Sequence, residues 1–255
     1  MKLGVVADMH GNAAALEAVV AEGTSLGVDR WWALGDLVLF GPRPTETMRL
    51  LLSLPGIEFV RGNTDRYVLT GEQPDPHPTA ADAVGDVGLV ERFAGMAAQI
   101  GWARGALGEA GLLDALEELP DSVRTVLPDG TRVLGIHASP ISDDGPGIDT
   151  DADNELLASL IAGCDADVVV GGHTHVPTDR VVDGVRLVNG GSVGLPRRAD
   201  GACWLLIDGD EQGTRIDRRV VDFPVDEVVA DLHDRRHPGA AFVSSVLRRE
   251  HAFAR

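Results

Sequence analysis

The fold class is decided by residues 2–36, which read KLGVVADMHGNAAALEAVVAEGTSLGVDRWWALGD. Two short apolar runs, at 2–8 and 30–36, predict buried strands, because continuous apolar runs bounded by turn residues are typical of such strands. Between them, the alanines together with Leu16 and Val19 predict a helix that ends near Gly27. A strand, a helix and a strand in this order predict a βαβ unit and therefore an α/β fold.

The rest of the chain continues this α/β pattern. Further apolar runs predict buried strands at 57–63, 132–138, 167–173, 185–191 and 202–208, and an alternating run predicts an exposed antiparallel strand at 213–223. Helical patterns lie at 44–56 and 225–236. We find no internal repeat and no linker, so we expect a single domain over residues 1–255.

The middle of the chain has a different composition. Residues 71–86 are rich in proline and small polar residues, which predicts a long loop. Residues 86–118 are rich in alanine and predict one or two helices, broken near Gly101 to Gly111. We expect this helical insertion either to lie beside a functional site or to cover one face of a sheet.

The charge of the chain limits the classes of partner. Its 255 residues include 40 acidic and 22 basic side chains, which give a formal net charge of -18 at pH 7. Such a surface repels nucleic-acid backbones and anionic lipids, so we expect neither bulk nucleic-acid binding nor membrane association. A small phosphate ester remains a candidate substrate, because a bound metal cation can reverse the sign of the local field.

The sequence also predicts the cellular compartment. No apolar run approaches the roughly 20 residues of a membrane span, and the N-terminal strand leaves no room for a signal peptide. The two cysteines, Cys164 and Cys203, are expected as buried free thiols, as in a reducing compartment. We therefore expect a cytoplasmic protein, and the sequence leaves both a monomer and an oligomer open.

Metal-competent side chains follow five of the predicted strands at the point where each strand ends. In chain order they are Asp8, His10, Asp36, Asn63, His137, His173 and His175. Because ligands bind beyond the carboxyl ends of the strands in open α/β sheets, we expect these side chains to converge. The pairs Asp8/His10 and His173/His175 would each point to one side if the extended backbone continued through them.

Each of these residues also has an ordinary structural explanation. Asp8 could cap the following helix, and Asp36 could begin a turn. Asn63 could adopt a left-handed turn conformation, and His137 could be a core histidine with its hydrogen bonds satisfied. All these explanations would have to hold at once, and the same groups buried together without a cation would be costly and mutually repulsive. The combined pattern therefore indicates a metal site.

The number and type of these ligands indicate which metals bind. Seven ligands are too many for one four-coordinate site but suit two cations that share one carboxylate. Mixed imidazole, carboxylate and amide ligands favour Mn, Fe, Zn, Co or Ni over Ca. Two such cations about 3.5–4 Å apart can activate a water and clamp the oxygens of a phosphoryl group.

Five short blocks of the sequence resemble the signature of the calcineurin-like metallophosphoesterases. The blocks are DMHGN (8–12), GDLVLFGP (35–42), RGNTD (61–65), GIHASP (135–140) and GGHTH (171–175). A further stretch, NGGSVGLPR (189–197), is similar to a compact bacterial subgroup of phosphodiesterase-like members. The resemblance implies an α/β fold of the four-layer α/β/β/α sandwich type, with the site at the strand ends.

The same resemblance implies a role for each metal-competent residue. One cation would be held by Asp8, His10 and His175, the other by Asn63, His137 and His173, and Asp36 would bridge the two. The catalytic residues would be Asp36, Asn63 and His137, with Asn63 near the phosphoryl oxygen. The nucleophile would be a hydroxide that bridges the two cations, without a covalent phospho-enzyme.

One position departs from the family pattern. Many members have a histidine directly after the asparagine, which gives a proton to the leaving group, whereas this chain has Thr64. A threonine hydroxyl is a poor general acid, so we expect diesters or activated aryl esters to be better substrates than alkyl monoesters. Arg66 and Arg197 are candidate contacts to the substrate phosphate, with a surface salt bridge as the alternative for each.

The sequence therefore predicts a dinuclear-metal hydrolase of phosphodiesters or activated phosphate esters. Two alternatives stay open, namely a phosphomonoesterase or nucleotide pyrophosphate hydrolase, and a non-catalytic scaffold on the same fold. A scaffold would be expected to lose ligands, whereas all seven positions are filled here. Metal content together with hydrolysis of bis(p-nitrophenyl) phosphate would separate the enzyme from the scaffold.

Overall fold

Two mixed β-sheets of five strands each stack face to face in the centre of the protein. The structure is a computed structural model that describes residues 1–74, 77, 79–198 and 200–250, without the side chains of Ala80 and Ala83. The last five residues of the predicted single domain therefore lie outside the described residues.

The first sheet carries the βαβ unit from which the fold class was predicted. Its strands, in spatial order, are β10 (Gly213–Val221), β9 (Ala202–Asp210), β1 (Lys2–Val6), β2 (Arg30–Leu34) and β3 (Ile57–Val60). Strands β1, β2 and β3 run parallel, whereas β9 and β10 are antiparallel to their neighbours. The prediction of an α/β fold with a final antiparallel strand is confirmed.

The second sheet is built in a similar way. Its strands, in spatial order, are β4 (Ser122–Val126), β5 (Arg132–Ile136), β6 (Val168–Gly171), β8 (Val185–Asn189) and β7 (Thr178–Val182). Strands β5, β6 and β8 run parallel, and β4 and β7 close the two edges as antiparallel strands. The carboxyl ends of the parallel strands of each sheet therefore lie along one edge of that sheet.

Helices cover the outer faces of both sheets. The helices are α1 (Ala13–Ser25), α2 (Pro44–Ser53), α3 (Asn63–Thr70), α4 (Ala80–Gly85), α5 (Val87–Glu109), a short 3-10 helix (Leu113–Leu116), α6 (Asn154–Leu160), α7 (Val225–Asp234) and α8 (Ala240–Leu247). Apolar residues of α1, α2 and α5 share one buried cluster with the first sheet, and α6 packs in the same way on the second. The predicted four-layer α/β/β/α sandwich is confirmed.

The two adjacent tryptophans of β2 show how the layers are joined. Successive side chains of a strand point to opposite faces, so Trp31 packs among the helices and Trp32 packs between the two sheets. Both are 1% exposed. Helix α1 begins at its N-cap Asn12, whose side-chain oxygen accepts from the Ala15 backbone N–H (3.1 Å), and it ends before Gly27, as predicted.

The predicted break in the helical insertion is wrong in part. Helix α5 runs without interruption through Gly101 and Gly105, and the chain leaves the helix only before Gly111, whose φ is 67°. An interior glycine costs a helix about 1 kcal/mol, and burial of Ile100 and Leu107 against the first layer offsets this cost. The second half of α5 thus helps to cover the first sheet, while most of its first half is exposed.

Several short elements were not predicted from the sequence. They are strands β4 and β7 and helices α3, α4, α6 and α8. Helix α4 lies inside the region predicted as a loop at 71–86, where Thr79 caps it by accepting from the Asp82 backbone N–H (3.3 Å). Residues 75, 76 and 78 of that region lie outside the described residues.

Two further predictions concern cysteines and membrane spans. Both thiols are free, but only Cys203 is buried, since Cys164 is partly exposed in the segment between α6 and β6. Among the described residues, every helix is too short or too polar to cross a membrane.

Candidate metal centre

The predicted ligands gather where the parallel strands of both sheets end. Asp8 follows β1 and Asp36 follows β2, while Asn63 is the first residue of α3, three residues after β3. From the second sheet, His137 follows β5 directly, and the GGHTH block begins at Gly171, the last residue of β6. The site therefore lies at the junction between the two sheets, and each sheet contributes ligands.

Four of the predicted ligands form a first group, made of Asp8, His10, Asp36 and His175. One potential ligand atom from each of them lies within 4.8 Å of the others. The Nε2 atoms of His10 and His175 are 3.0 Å apart, and His10 Nε2 lies 3.6 Å from Asp36 Oδ2. Asp8 Oδ1 lies 3.6 Å from His175 Nε2. This group has the donor set of a cation site.

A second group surrounds the side-chain oxygen of Asn63. Its Oδ1 atom is 3.1 Å from His137 Nε2 and 3.2 Å from His173 Nδ1. His137 Nε2 also lies 3.3 Å from Asp36 Oδ1. Asp36 thus turns one carboxylate oxygen, Oδ2, to the first group and the other, Oδ1, to the second. The structure brings together all seven residues that the sequence singled out.

Backbone carbonyls hold the outer ring nitrogens of three histidines. The Nδ1 atoms of His10, His137 and His175 lie 3.1, 2.7 and 2.9 Å from the carbonyl oxygens of Leu39, Leu34 and Leu195, respectively. A carbonyl oxygen only accepts, so each Nδ1 carries the proton, and in a neutral ring Nε2 presents its lone pair to the group. Metal-bound histidines are oriented by hydrogen bonds of this kind.

Burial keeps these rings neutral. Burial lowers the pKa of His10 to about 4 and lowers that of His175 well below its usual value. For both rings the effect of burial is larger than the effect of any neighbouring charge. Burial, together with the charge of Asp36, also raises the pKa of Asp8. Two lone pairs that face each other at 3.0 Å beside two carboxyl groups repel without a cation between them. The residues present therefore fit divalent cations.

Five of the seven ligands adopt a left-handed backbone conformation. Their φ values are 57° for Asp8, 48° for His10, 56° for Asp36, 71° for His173 and 59° for His175. The extended geometry considered for the i, i+2 pairs is therefore wrong, because β1 ends at Val6 and β6 at Gly171. Such conformations are strained for residues other than glycine and concentrate at functional sites.

Hydrogen bonds between distant segments hold this strained backbone in place. The backbone N–H of Asp8 donates to Gly35 O (3.0 Å), and that of His10 donates to Asp36 O (2.9 Å). The backbone N–H of His173 donates to Asp8 Oδ1 (3.0 Å). The loops after β1, β2 and β6 therefore fix one another.

Asp65 supports the site but was not singled out from the sequence. This buried carboxylate accepts from the backbone N–H groups of Asp36 (2.9 Å), Leu37 (2.9 Å) and Gly62 (3.0 Å). Burial, followed by the charge of Asp36, raises the pKa of Asp65 to about 8. The signal in the sequence was an acidic residue three positions after Gly62, typical of the first turn of a helix that was not predicted.

Two residues of the NGGS stretch support the site from the second sheet. Ser192 donates to the backbone carbonyl of Asp8 (2.8 Å), and its hydroxyl oxygen accepts from the Leu195 N–H (2.8 Å). Asn189 donates to the Gly172 carbonyl (2.6 Å), just before the GGHTH histidines. These contacts give the stretch a structural role that the sequence alone did not reveal.

The rim on the Asn63 side is polar. The Tyr67 hydroxyl donates to Asp144 (2.5 Å), and although burial raises the pKa of Tyr67, the Asn63 amide beside it acts to lower that pKa. The Arg66 guanidinium is paired with Asp143 (3.0 Å) and with Glu72. Burial acts to raise the pKa of Asp143, but the charges and hydrogen bonds of Arg66 and then of Arg61 outweigh it. The pKa of Asp143 is therefore below its usual value.

The remaining predicted positions lie close to the ligands. The backbone N–H of Thr64 donates to Asp36 Oδ1 (2.9 Å), and its buried hydroxyl has no hydrogen-bond partner among the described residues. On the other side of the site, Arg197 donates to the backbone carbonyl of Thr174 (3.3 Å), between the two GGHTH histidines.

The sandwich and the ligand group at its strand ends define the class of metallophosphoesterase-like folds. Residues 1–212 match the family model of the calcineurin-like phosphoesterase superfamily domain. The chain belongs to the calcineurin-like phosphoesterase superfamily, and the family resemblance of its five sequence blocks is confirmed.

Three relatives illustrate this membership. The fold is similar to a metallophosphoesterase from Sphaerobacter thermophilus, with a TM-score of 0.73 and 26% identity over 97% of this chain and 99% of that one. It is also similar to the protein PH1004 from Pyrococcus horikoshii, with a TM-score of 0.76 and 20% identity over 96% and 97% of the two chains. A segment of 73 residues is 36% identical to protein MJ0912 of Methanocaldococcus jannaschii, but the match spans only 29% of this chain and 30% of that protein.

Proposed function

We propose that this protein hydrolyses phosphate esters with the help of two divalent cations, and that it prefers diesters or activated aryl esters to alkyl monoesters. The observation that carries the proposal is the division of seven ligands into two groups that share the carboxylate of Asp36. Membership in a phosphoesterase superfamily supports the hydrolase activity.

Each group would hold one cation with the residues that form it. Asp8, His10 and His175 complete the first site, Asn63, His137 and His173 complete the second, and Asp36 serves both. Imidazole, carboxylate and amide donors suit Mn, Fe, Zn, Co or Ni. When bound, such cations supply Lewis acidity for the phosphoryl oxygens and an activated water.

The preference for diesters rests on the surroundings of Thr64. Its hydroxyl is buried and points to no acceptor or donor among the described residues, and it is a poor general acid by its chemistry. A leaving group that departs as a stable anion does not need a proton at this position. Diesters with an activated ester bond meet this condition, whereas unactivated alkyl monoesters do not.

The two predicted substrate contacts have different surroundings. Asp143 and Glu72 hold the Arg66 guanidinium, which favours the salt-bridge alternative for that residue. Arg197 lies beside the loop that carries His173 and His175, which supports a contact with the substrate phosphate. Both roles stay predictions.

The experiment combines metal analysis with hydrolysis. We expect about two metal equivalents per purified chain, and faster hydrolysis of bis(p-nitrophenyl) phosphate than of an alkyl monoester such as glycerol phosphate. Chelation should abolish both activities, and added cation should restore them. Asp36→Asn is the matched variant, because both groups lose their shared anionic ligand, and exposed Asp29→Asn is the control.

Three results would contradict the proposal. Bound metal without turnover of either ester would favour a scaffold, and faster turnover of the monoester would favour a phosphomonoesterase. Wild-type turnover by the Asp36→Asn variant would contradict the shared carboxylate. The single domain, the cytoplasmic location and the oligomeric state stay predictions.

A further inference from the structure

Two phenylalanines lie beside the first ligand group, and we call them the phenylalanine wall. The ring centroid of Phe40 is 5.2 Å from that of His10, and the Phe242 centroid is a further 6.1 Å from that of Phe40. Phe40 belongs to the loop after β2, and Phe242 belongs to α8. The wall therefore extends from a metal-competent histidine to the surface of the protein.

The exposure of Phe242 is unusual in this chain. Its side chain is 44% exposed, and among the residues that the structure describes it is the only exposed aromatic side chain. Phe40 is half-buried and also packs against two apolar clusters, so part of its ring is fixed by the core and part lies beside His10. An exposed aromatic group next to a candidate active site indicates a binding surface.

The backbone of Phe40 gives independent support. Its φ of 89° is a strained conformation for a bulky residue. The carbonyl of the preceding residue, Leu39, accepts from His10 Nδ1 (3.1 Å), so the turn that orients the ligand also orients the Phe40 ring. Backbone strain of this kind, at a residue beside a metal-competent histidine, is typical of functional sites.

Helix α8 is likewise fixed to the site. Leu195, whose carbonyl accepts from His175 Nδ1, packs in one buried cluster with Val243 and Val246 of this helix. Phe242 thus stands on an element that is anchored to the loop of another ligand. The wall thus lies beside the first ligand group, while the rim on the Asn63 side is polar.

We propose that the phenylalanine wall binds a flat aromatic ester group of the substrate, either an aryl ring or a nucleobase. This inference rests on the proposed phosphoesterase function. A flat ring can stack on Phe242 or contact its edge, with the phosphoryl group placed over the two ligand groups. The net charge of -18 disfavours a long polynucleotide, so the substrate class is a small phosphodiester with at least one aromatic ester group.

The test compares diesters with and without a ring. Wild-type protein is measured with bis(p-nitrophenyl) phosphate and with bis(hexafluoroisopropyl) phosphate, which has no ring, has an activated ester bond and is followed by fluorine NMR. Phe242→Ala should lower kcat/KM for the aromatic diester about tenfold, a change in the range of one stacking contact. It should leave kcat/KM for the diester without a ring within about twofold of wild type.

Three control variants make the result specific. Phe242→Tyr keeps the ring and should retain the wild-type ratio of the two kcat/KM values, whereas Phe242→Leu keeps an apolar side chain without a ring and should lose it. Leu52→Ala removes a similarly exposed apolar side chain on α2 and should change neither value. Metal content and thermal unfolding of each variant establish that the fold and the ligand groups are intact.

A second comparison separates the two sources of the ring. The p-nitrophenyl ester of thymidine monophosphate and ethyl p-nitrophenyl phosphate share one leaving group and differ in the nucleoside. A higher kcat/KM for the thymidine ester, lost in Phe242→Ala, identifies a nucleobase as the group on the wall. Equal values, both lowered in Phe242→Ala, identify the aryl ring.

The outcomes distinguish this inference from the function on which it rests. If Phe242→Ala changes hydrolysis of the aromatic diester and of the diester without a ring by the same factor, or changes neither, the wall has no role in recognition and the hydrolase remains. If metal-loaded wild-type protein hydrolyses none of the diesters, the proposed function fails, and the inference fails with it.

Discussion

At the scale of single residues, the site depends on side chains that orient the ligands as well as on the ligands themselves. Asn63 presents its oxygen to two histidines, and an amide can present either its oxygen or its nitrogen. The Tyr67 hydroxyl donates to Asp144 (2.5 Å) and lies close enough to the Asn63 amide for that amide to act on the pKa of Tyr67. We infer that Tyr67 is a positioning residue that keeps the amide oxygen toward the second ligand group.

This role leads to a prediction for Tyr67→Phe. Without the hydroxyl the Asn63 amide can rotate, so we expect weaker binding of one of two cations and a kcat lowered about tenfold, as for other groups that orient metal ligands. Metal titration and steady-state kinetics with bis(p-nitrophenyl) phosphate measure both effects. Asp144→Ala removes only the other partner of the hydroxyl, and an equal loss in that variant would assign the effect to the loop of Asp144 instead.

A second prediction at this scale concerns the leaving group. Thr64→His introduces a ring that can give a proton, so turnover of esters with poor leaving groups should increase relative to p-nitrophenyl esters. The measurement is the dependence of kcat/KM on leaving-group pKa, which should become less steep in the variant. Thr64→Val, which removes the buried hydroxyl but adds no acid, serves as the control. An unchanged slope in Thr64→His would remove the argument that Thr64 sets the substrate preference.

At the scale of secondary-structure elements, burial decides which elements were predictable. The seven strands predicted from apolar runs lie mainly inside the sandwich, so their sequences are apolar on both faces. The missed strands β4 and β7 are edge strands whose residues alternate between buried and exposed positions, and they read SVRTV and TDRVV. The missed helices α3, α6 and α8 have seven or eight residues, too few for a helical period to stand out.

The ligands were predictable for a related reason, but their conformation was not. Their positions at strand ends follow from the sequence, because carboxyl ends of parallel strands meet at one edge. The left-handed backbone of Asp8 and His173 depends on hydrogen bonds between residues that are far apart in the chain, such as that from the His173 N–H to Asp8. A pattern within one segment carries no information on such a contact.

Helix α5 gives a prediction at the same scale. Gly101 and Gly105 lie inside this helix, and a methyl group at either position would meet open space. Gly101→Ala should therefore stabilise the protein by about 0.5–1 kcal/mol, because alanine lowers the entropy of the unfolded chain without strain. Urea unfolding measures the change. Gly111→Ala is the matched control, since a φ of 67° disfavours alanine and should make that variant less stable.

A buried histidine between three helices connects element packing with pH. His237 lies between α7 and α8, its ring centroid is 4.4 Å from that of Trp102 on α5, and its Nδ1 accepts from the Gly239 N–H (3.1 Å). Burial lowers its pKa to about 4. The unfolded chain therefore binds more protons than the folded one between about pH 6.5 and 4, and stability is lost as the pH falls through this window.

The corresponding variant is His237→Asn. The free energy of unfolding of wild type minus that of the variant should decrease by on the order of 3 kcal/mol between pH 7 and pH 4, since only wild type carries the buried imidazole. Urea unfolding at several pH values gives this difference. A constant difference across the window would contradict the assignment to His237.

At the scale of the whole molecule, the ligand groups join the two sheets. Asp8, Asp36 and Asn63 follow strands of the first sheet, whereas His137 and His173 follow strands of the second. Bound cations would therefore favour the folded state, in which both sheets are docked, over the unfolded state. We expect chelation to lower Tm by about 10–20 °C, because each of the two proposed cations contributes roughly 2.7 kcal/mol at 100 times its Kd.

The control for this prediction is the Asp36→Asn variant. Its Tm should respond little to chelator or to added cation, because both ligand groups have lost their common carboxylate. Differential scanning calorimetry at several cation concentrations measures the response. A wild-type Tm that is independent of cation concentration would show that the ligand groups do not link metal binding to folding.

The loops after β1 and β6, which have left-handed backbone conformations, also determine when the site can form during synthesis of the chain. The His173 amide is held by Asp8, which stands 165 positions earlier in the chain. A nascent chain that has made only β1, β2, β3 and the start of α3 carries four of the seven donors, and it lacks His137, His173 and His175. A product of synthesis or proteolysis that stops before residue 173 therefore completes neither ligand group, because the first group needs His175 and the second needs His173.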